Sequence, residues 1–118
     1  MLGWIFGKSA ADREEAAAAE RTCALYTKAL STCLEANKEG QLRGEKEICA
    51  GLAGSAAHCL GSKLAACQES AKEYSRCITK HGLQPNGGSD KCTREEKALF
   101  RCIKKKGVGR GSGLERFP

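Results

Sequence analysis

The sequence predicts an all-α protein of two disulfide-stapled antiparallel helical hairpins in tandem, with flexible N- and C-terminal extensions. Three observations predict it. All eight cysteines fall into four pairs with nine residues inside each: Cys23/Cys33, Cys49/Cys59, Cys67/Cys77 and Cys92/Cys102. Leu, Ile, Val and Phe number only 19 of 118 residues, too few for an adequate core without covalent help. The residues that break helices gather in a few places, leaving long uninterrupted helical stretches between them.

The elements follow in order. Ser9-Ala10-Ala11-Asp12 has the form of a helix-capping box, and no Pro or Gly occurs from there to Gly40, so a first helix is expected over residues 10–38. "QLRG" is a connection. A second helix is expected from about Glu45 to Leu60. Gly51, Gly54 and Gly61 weaken it by roughly 1 kcal/mol each relative to Ala but let a partner helix come close. A third spans about 62–80 and stops at Lys80-His81-Gly82, a basic last turn before glycine. "LQPNGGSD" is the plainest loop in the chain. The fourth helix runs from about Asp90 to Lys106 and stops at Gly107. Between the second and third helices a bend is expected near Gly61-Ser62. As regions, 1–19 form an apolar tip and helix extension, 20–61 the first hairpin, 62–106 the second, and 107–118 a glycine-rich basic tail taken as flexible.

A short repeat surrounds the second cysteine of each pair: Leu30-x-x-Cys33-Leu34, Ala56-x-x-Cys59-Leu60, Tyr74-x-x-Cys77-Ile78 and Leu99-x-x-Cys102-Ile103. Each helix therefore embeds its cysteines in an apolar stripe. Ten residues of helix advance about 15 Å and rotate about −80°. The two cysteines of one pair cannot bond to each other, because a disulfide needs Cα atoms within about 7 Å. Partners must come from another helix with the same gap, and two antiparallel helices with equal gaps match at both ends. Pairing first with second helix gives Cys33–Cys49 and Cys23–Cys59; pairing third with fourth gives Cys77–Cys92 and Cys67–Cys102. The two hairpins are then nearly equal in size, as one module used twice. Eight cysteines allow 105 connectivities, and a rival frame joins the second helix to the third.

The formal net charge is +6, of which +4 lies from Lys104 onward. The basic character thus belongs to the tail. No stretch approaches the roughly 18 apolar residues of a membrane span. The opening "MLGWIFGK" is too short for a secretory h-region, and the acids after it do not suit a transit peptide. Cysteines in disulfide-like number thus come without an export signal of the ordinary kind.

Four C-x9-C motifs on paired helices resemble the coiled-coil-helix-coiled-coil-helix family in a double form, over about residues 20–105. That resemblance implies import into the mitochondrial intermembrane space by an oxidative disulfide relay, without a cleaved presequence. It implies as relay-docking residues Tyr74, Cys77 and Ile78, or Leu99, Cys102 and Ile103. Within the family, four such motifs are similar in architecture to an accessory subunit on the intermembrane-space side of respiratory complex I. Other members include cytochrome oxidase subunits and assembly factors, and mitochondrial ribosomal proteins.

The residues themselves argue against catalysis. No Cys-Pro-Cys or C-x-x-C pair offers a reactive thiol, no adjacent cysteines suit copper transfer, and no cofactor or metal site is expected. His58 reads as a surface or packing residue and His81 as a helix-dipole partner. Binding remains. Trp4, Ile5 and Phe6 form an apolar tip suited to a partner subunit or membrane interface. Lys104, Lys105, Lys106 and Arg110 suit acidic subunits or anionic lipid, and RNA under the ribosomal alternative. The expected function is a non-catalytic subunit of a mitochondrial respiratory complex, complex I first, peripheral to the inner membrane; a ribosomal protein or a cytochrome oxidase subunit or assembly factor are the alternatives.

Overall fold

The computed structural model describes residues 10–36, 49–81, 90–114 and 117. They form five helices: α1 (Ala10–Thr22), α2 (Ala24–Ala36), α3 (Ala50–Lys63), α4 (Gln68–His81) and α5 (Thr93–Lys105). Single 3-10 turns, Ala65–Cys67 and Asp90–Cys92, lead into α4 and α5. No strand occurs among the described residues. The expected start of the second helix near Glu45 and both hairpin loops lie outside them.

The long first helix is interrupted only at Cys23. The Cys23 amide still bonds to Ala19 and the Thr27 amide to Cys23, at 3.0 and 3.1 Å, so the helical ladder passes through. The α1–α2 rod therefore runs nearly the length expected.

At the centre lies α3. It packs against α1, α2, α4 and α5, and its sequence explains why it can. Ala53, Gly54, Ala56, Ala57 and Gly61 are all buried, so neighbours on several sides approach its backbone closely. A Cβ on Gly61 would lie 2.6 Å from Leu99 Cδ1 and 3.3 Å from Ala71 Cβ. The glycines that weaken this helix locally are what let the two hairpins share it as a wall.

The expected bend at Gly61-Ser62 falls instead at Leu64. Residues 61–63 remain helical, and Leu64 is extended at φ −107°, ψ 118°. Three contacts account for the shift. Leu64 turns its side chain fully into the core, which stabilises by roughly 2 kcal/mol. The carbonyls at the end of α3 are taken locally: His58 accepts from Ser62 Oγ, Gly61 from the Leu64 amide, and Ser62 from Gln68 Nε2. The amide of Ala65, which opens the next turn, donates to Glu15 Oε2 of α1 at 3.0 Å, filling a donor that helix starts leave bare. Gly61 stays helical, and Leu99 and Ala71 occupy the space its missing side chain leaves open.

The tail also departs from expectation. Residues 107–114 and Phe117 are packed, not free: Val108, Leu114 and Phe117 are buried. At the end of α5, Gly107 (φ 69°) turns the chain while its amide bonds to Lys104 and that of Val108 to Ile103. This is a Schellman stop, and both Val108 and Ile103 are buried in the core. The strap then crosses to the first hairpin. Gly109 lies against both Leu114 and Leu60, and Gly113 sits so tightly on Leu34 that a Cβ would meet Leu34 Cδ1 at 2.1 Å. Phe117 stacks at 6.0 Å on Phe100, and its carbonyl accepts a hydrogen bond from Lys104 Nζ. Gly109 and Gly113 of this segment serve close packing, whereas Gly111 borders open space. Composition alone does not separate that use from linker flexibility.

Candidate functional site

The feature that organises the molecule is its cystine ladder. Cys23–Cys59 and Cys33–Cys49 join α2 to α3, with Cα atoms 5.9 and 6.0 Å apart. Cys67–Cys102 and Cys77–Cys92 join α4 to α5, both at 5.8 Å. All eight cysteines are engaged, in the frame that equal gaps on antiparallel helices favour. The rival frame joining the second helix to the third is excluded.

Each rung is asymmetric. The first cysteine of every pair (Cys23, Cys49, Cys67 and Cys92) is buried, whereas the second (Cys33, Cys59, Cys77 and Cys102) is half-buried. The cause is the rotation of about −80° over ten residues: when one cysteine faces the core, its mate faces the rim. Each bridge therefore joins one buried cysteine to one half-buried cysteine. Cys77 and Cys102 Sγ lie near the carbonyls of Lys91 and Ala66 at 3.6 and 3.5 Å.

The residues assigned to relay docking fall on this same face. Tyr74, Leu99 and Ile103 are buried, and Ile78 is half-buried against the core. Once folded they are interior, so only a chain not yet folded could present them together with Cys77 or Cys102. Tyr74 lies over α3, where a Cβ on Gly54 would meet its hydroxyl at 2.5 Å. Burial, with the Glu96 carboxylate adding to it, pushes the Tyr74 hydroxyl up to about 12. Burial likewise raises Glu96 above the ordinary carboxylate range.

Of the residues assigned to partners, Trp4, Ile5 and Phe6 lie outside the described residues. Lys104, Lys105 and Arg110 are exposed, and Lys106 is half-buried. They occupy the end of α5 and the strap, so the basic charge is held on a folded face. His58 is half-buried and His81 is exposed at the end of α4. The exposed Arg76–Glu69 pair on α4, at 3.5 Å, contributes little.

Sequence reasoning passed over two residues. Leu25 is 83% exposed and Tyr26 46% exposed on α2. The signal was present in the helical phase: Cys23, Leu30 and Leu34 share one face, and Leu25 lies about 200° from Cys23 on the other. Leu25 there faces away from the core, and Tyr26, about 60° from Cys23 at the edge of the buried face, is partly exposed.

Comparison with known families, with characterised proteins and with solved structures finds no match for the chain.

Proposed function

We propose that the chain is a double twin C-x9-C protein of the coiled-coil-helix-coiled-coil-helix type. It acts as a non-catalytic stabilising subunit of a mitochondrial respiratory complex, complex I, on the intermembrane-space side and peripheral to the inner membrane. The observation that supports this reading is the ladder: four rungs at one repeated gap brace a bundle whose cysteines are all consumed in the bracing. Such a part supplies stiffness and surface, not chemistry. Two hairpins around a shared helix hold apolar Leu25 and Tyr26 on one helix and a cationic patch, Lys104, Lys105 and Arg110, on another, in fixed relation to each other. Neighbouring subunits that contact both would be clamped at a set distance. Oxidation by the import relay would convert a chain with a poor core into this brace after it crosses the outer membrane.

Complexome profiling of mitochondria tests it. Co-migration with complex I is the expected result. Migration with the mitochondrial ribosome or with cytochrome oxidase would replace complex I as the assembly. Absence from mitochondria would overturn the reading as a whole.

A further inference from the structure

We propose that the outer face of α5 is a docking surface for an acidic α-helix of a partner protein. Five side chains of α5 fall within one arc of about 100° around the helix axis: Arg94, Lys97, Arg101, Lys104 and Lys105. All five are cationic and exposed, and no other residue of α5 shares that arc. The two acids of the helix, Glu95 and Glu96, lie about 100° or more from Arg94 and are half-buried. The row is about 16 Å long and advances in steps of three and four residues. Among the described residues, none of Arg94, Lys97, Arg101 and Lys105 is in an ion pair, and Lys104 reaches only the Phe117 carbonyl.

The fold itself does not account for this row. Cations in the last turn answer the helix dipole, which explains Lys104 and Lys105. Arg94 and Lys97 lie at the other end, where the dipole opposes them. Like charges three or four residues apart also repel along a helix, and 94–97, 97–101, 101–104 and 101–105 are all such pairs. On α4 the exposed residues mix Glu69 and Glu73 with Lys72 and Arg76, and Glu69 pairs with Arg76. An anionic partner lying along α5 relieves a repulsion that the free chain bears. The shape of the charge selects that partner. Because α4 beside it exposes carboxylates, the surface is a row one helix wide, not the broad cationic plane that suits an anionic bilayer. No aromatic side chain lies in the arc, so unpaired bases have no platform to stack on. A helix with carboxylates at three- and four-residue spacing presents a row of the same pitch and opposite sign. The surface is defined by charge alone and does not rest on which assembly supplies that helix.

The test uses the full oxidised chain, labelled with ¹⁵N, and two synthetic alanine-based helices of identical composition. One carries its glutamates at three- and four-residue steps along one side; the other spreads them evenly around the axis. Saturable shifts from the striped helix are expected at the Arg94, Lys97 and Arg101 amides, with an affinity that falls as salt is added. The spread helix is expected to bind about tenfold more weakly. Lys97→Glu and Arg101→Glu are each expected to weaken striped-helix binding about tenfold, the scale of one surface ion pair lost and one repulsion gained. Lys72→Glu on α4 changes the net charge equally and is expected to shift affinity by less than about twofold. The unreduced mass and far-ultraviolet dichroism of each variant verify that all four bridges and the helices persist. Equal affinity for the two helices overturns the proposal, as does a Lys72→Glu variant weakened as much as Lys97→Glu. Single-stranded RNA or phosphatidylserine vesicles that bind more tightly than the striped helix, in a manner lost in Arg101→Glu, overturn it too and reassign the row to nucleic acid or to a membrane. Complexome profiling reads the assembly and this titration reads the surface, so either can fail without the other.

Discussion

The two hairpins share one covalent plan and fill it differently. Their outer rungs span 36 and 35 residues and their inner rungs 16 and 15. The second hairpin brings most of the large side chains that fill it, Tyr74, Leu99, Phe100 and Ile103, and takes only Phe117 of the strap, against Phe100. The first meets its partner through small residues of α3, and the strap completes it from outside, Gly113 against Leu34 and Gly109 against Leu60 and Leu114. A ladder of bridges sets register and spacing, then, but not what occupies the interior. Where the helices supply too little volume, a segment more than fifty residues away in sequence covers the gap.

The largest test of this contrast removes one outer rung at a time. Loop-closure entropy assigns each about 4 kcal/mol, so the covalent loss is nearly the same for Cys23→Ser/Cys59→Ser and Cys67→Ser/Cys102→Ser. The strap still ties α5 to the first hairpin through Glu20–Gly109 and Leu34–Gly113, so the first-hairpin variant is expected to unfold at the higher urea concentration. Equal midpoints, or the reverse order, would break the contrast.

A smaller effect is expected at the strap. Gly113→Ala puts a Cβ on Leu34 and a side chain at φ 96°, at a cost of about 2 kcal/mol from strain and overpacking. The loss is expected in the first hairpin: amide hydrogen exchange should quicken around Leu30 and Leu34 and change little around Tyr74. Uniform quickening across both hairpins would mean that they unfold as one unit.

The smallest effect belongs to the second hairpin, where burial shifts two ionisable groups, Tyr74 and Glu96. Tyr74 keeps its proton up to about 12 when folded, against its ordinary 10.0. The neutral hydroxyl is the form that the fold favours, so this contribution is intact below pH 10 and is lost as pH rises toward 12. Ultraviolet titration of a Tyr26→Phe variant isolates Tyr74, and ionisation at the ordinary value would contradict its burial. Glu96 works in the same sense at lower pH. Its raised value means that stability falls as pH climbs through the carboxyl range, so Glu96→Gln is expected to raise the melting temperature slightly at neutral pH.

Much of this architecture is legible in the chain, and the reasons are particular. Equal nine-residue gaps leave few ways to close eight sulfurs on rods, so the rungs follow from helical geometry. The stop at Gly107 is local chemistry, since one glycine in the left-handed region satisfies the last carbonyls of α5. The break at Leu64 is not legible that way. Leu64 carries no breaking tendency, and the Glu15 carboxylate that caps the turn beyond it comes from fifty residues upstream. The strap misleads for a similar reason, because glycine read in isolation says nothing about whether Leu34 will lie against it. Of the residues assigned to partners, the basic group lies on a folded face, whereas Leu25 and Tyr26 come to attention once α2 has a buried side.

Alone, the amino-acid order determined the helices, their four cross-links and their tandem arrangement, because each depends on spacing along a rod or on one residue's own backbone preference. Only the packed molecule decided where the central rod breaks, which cysteine of each bridge is buried, and that the terminal strap packs onto the first hairpin and onto Phe100. Those outcomes depend on surfaces brought together from distant parts of the chain, where burial outweighs what any single residue prefers.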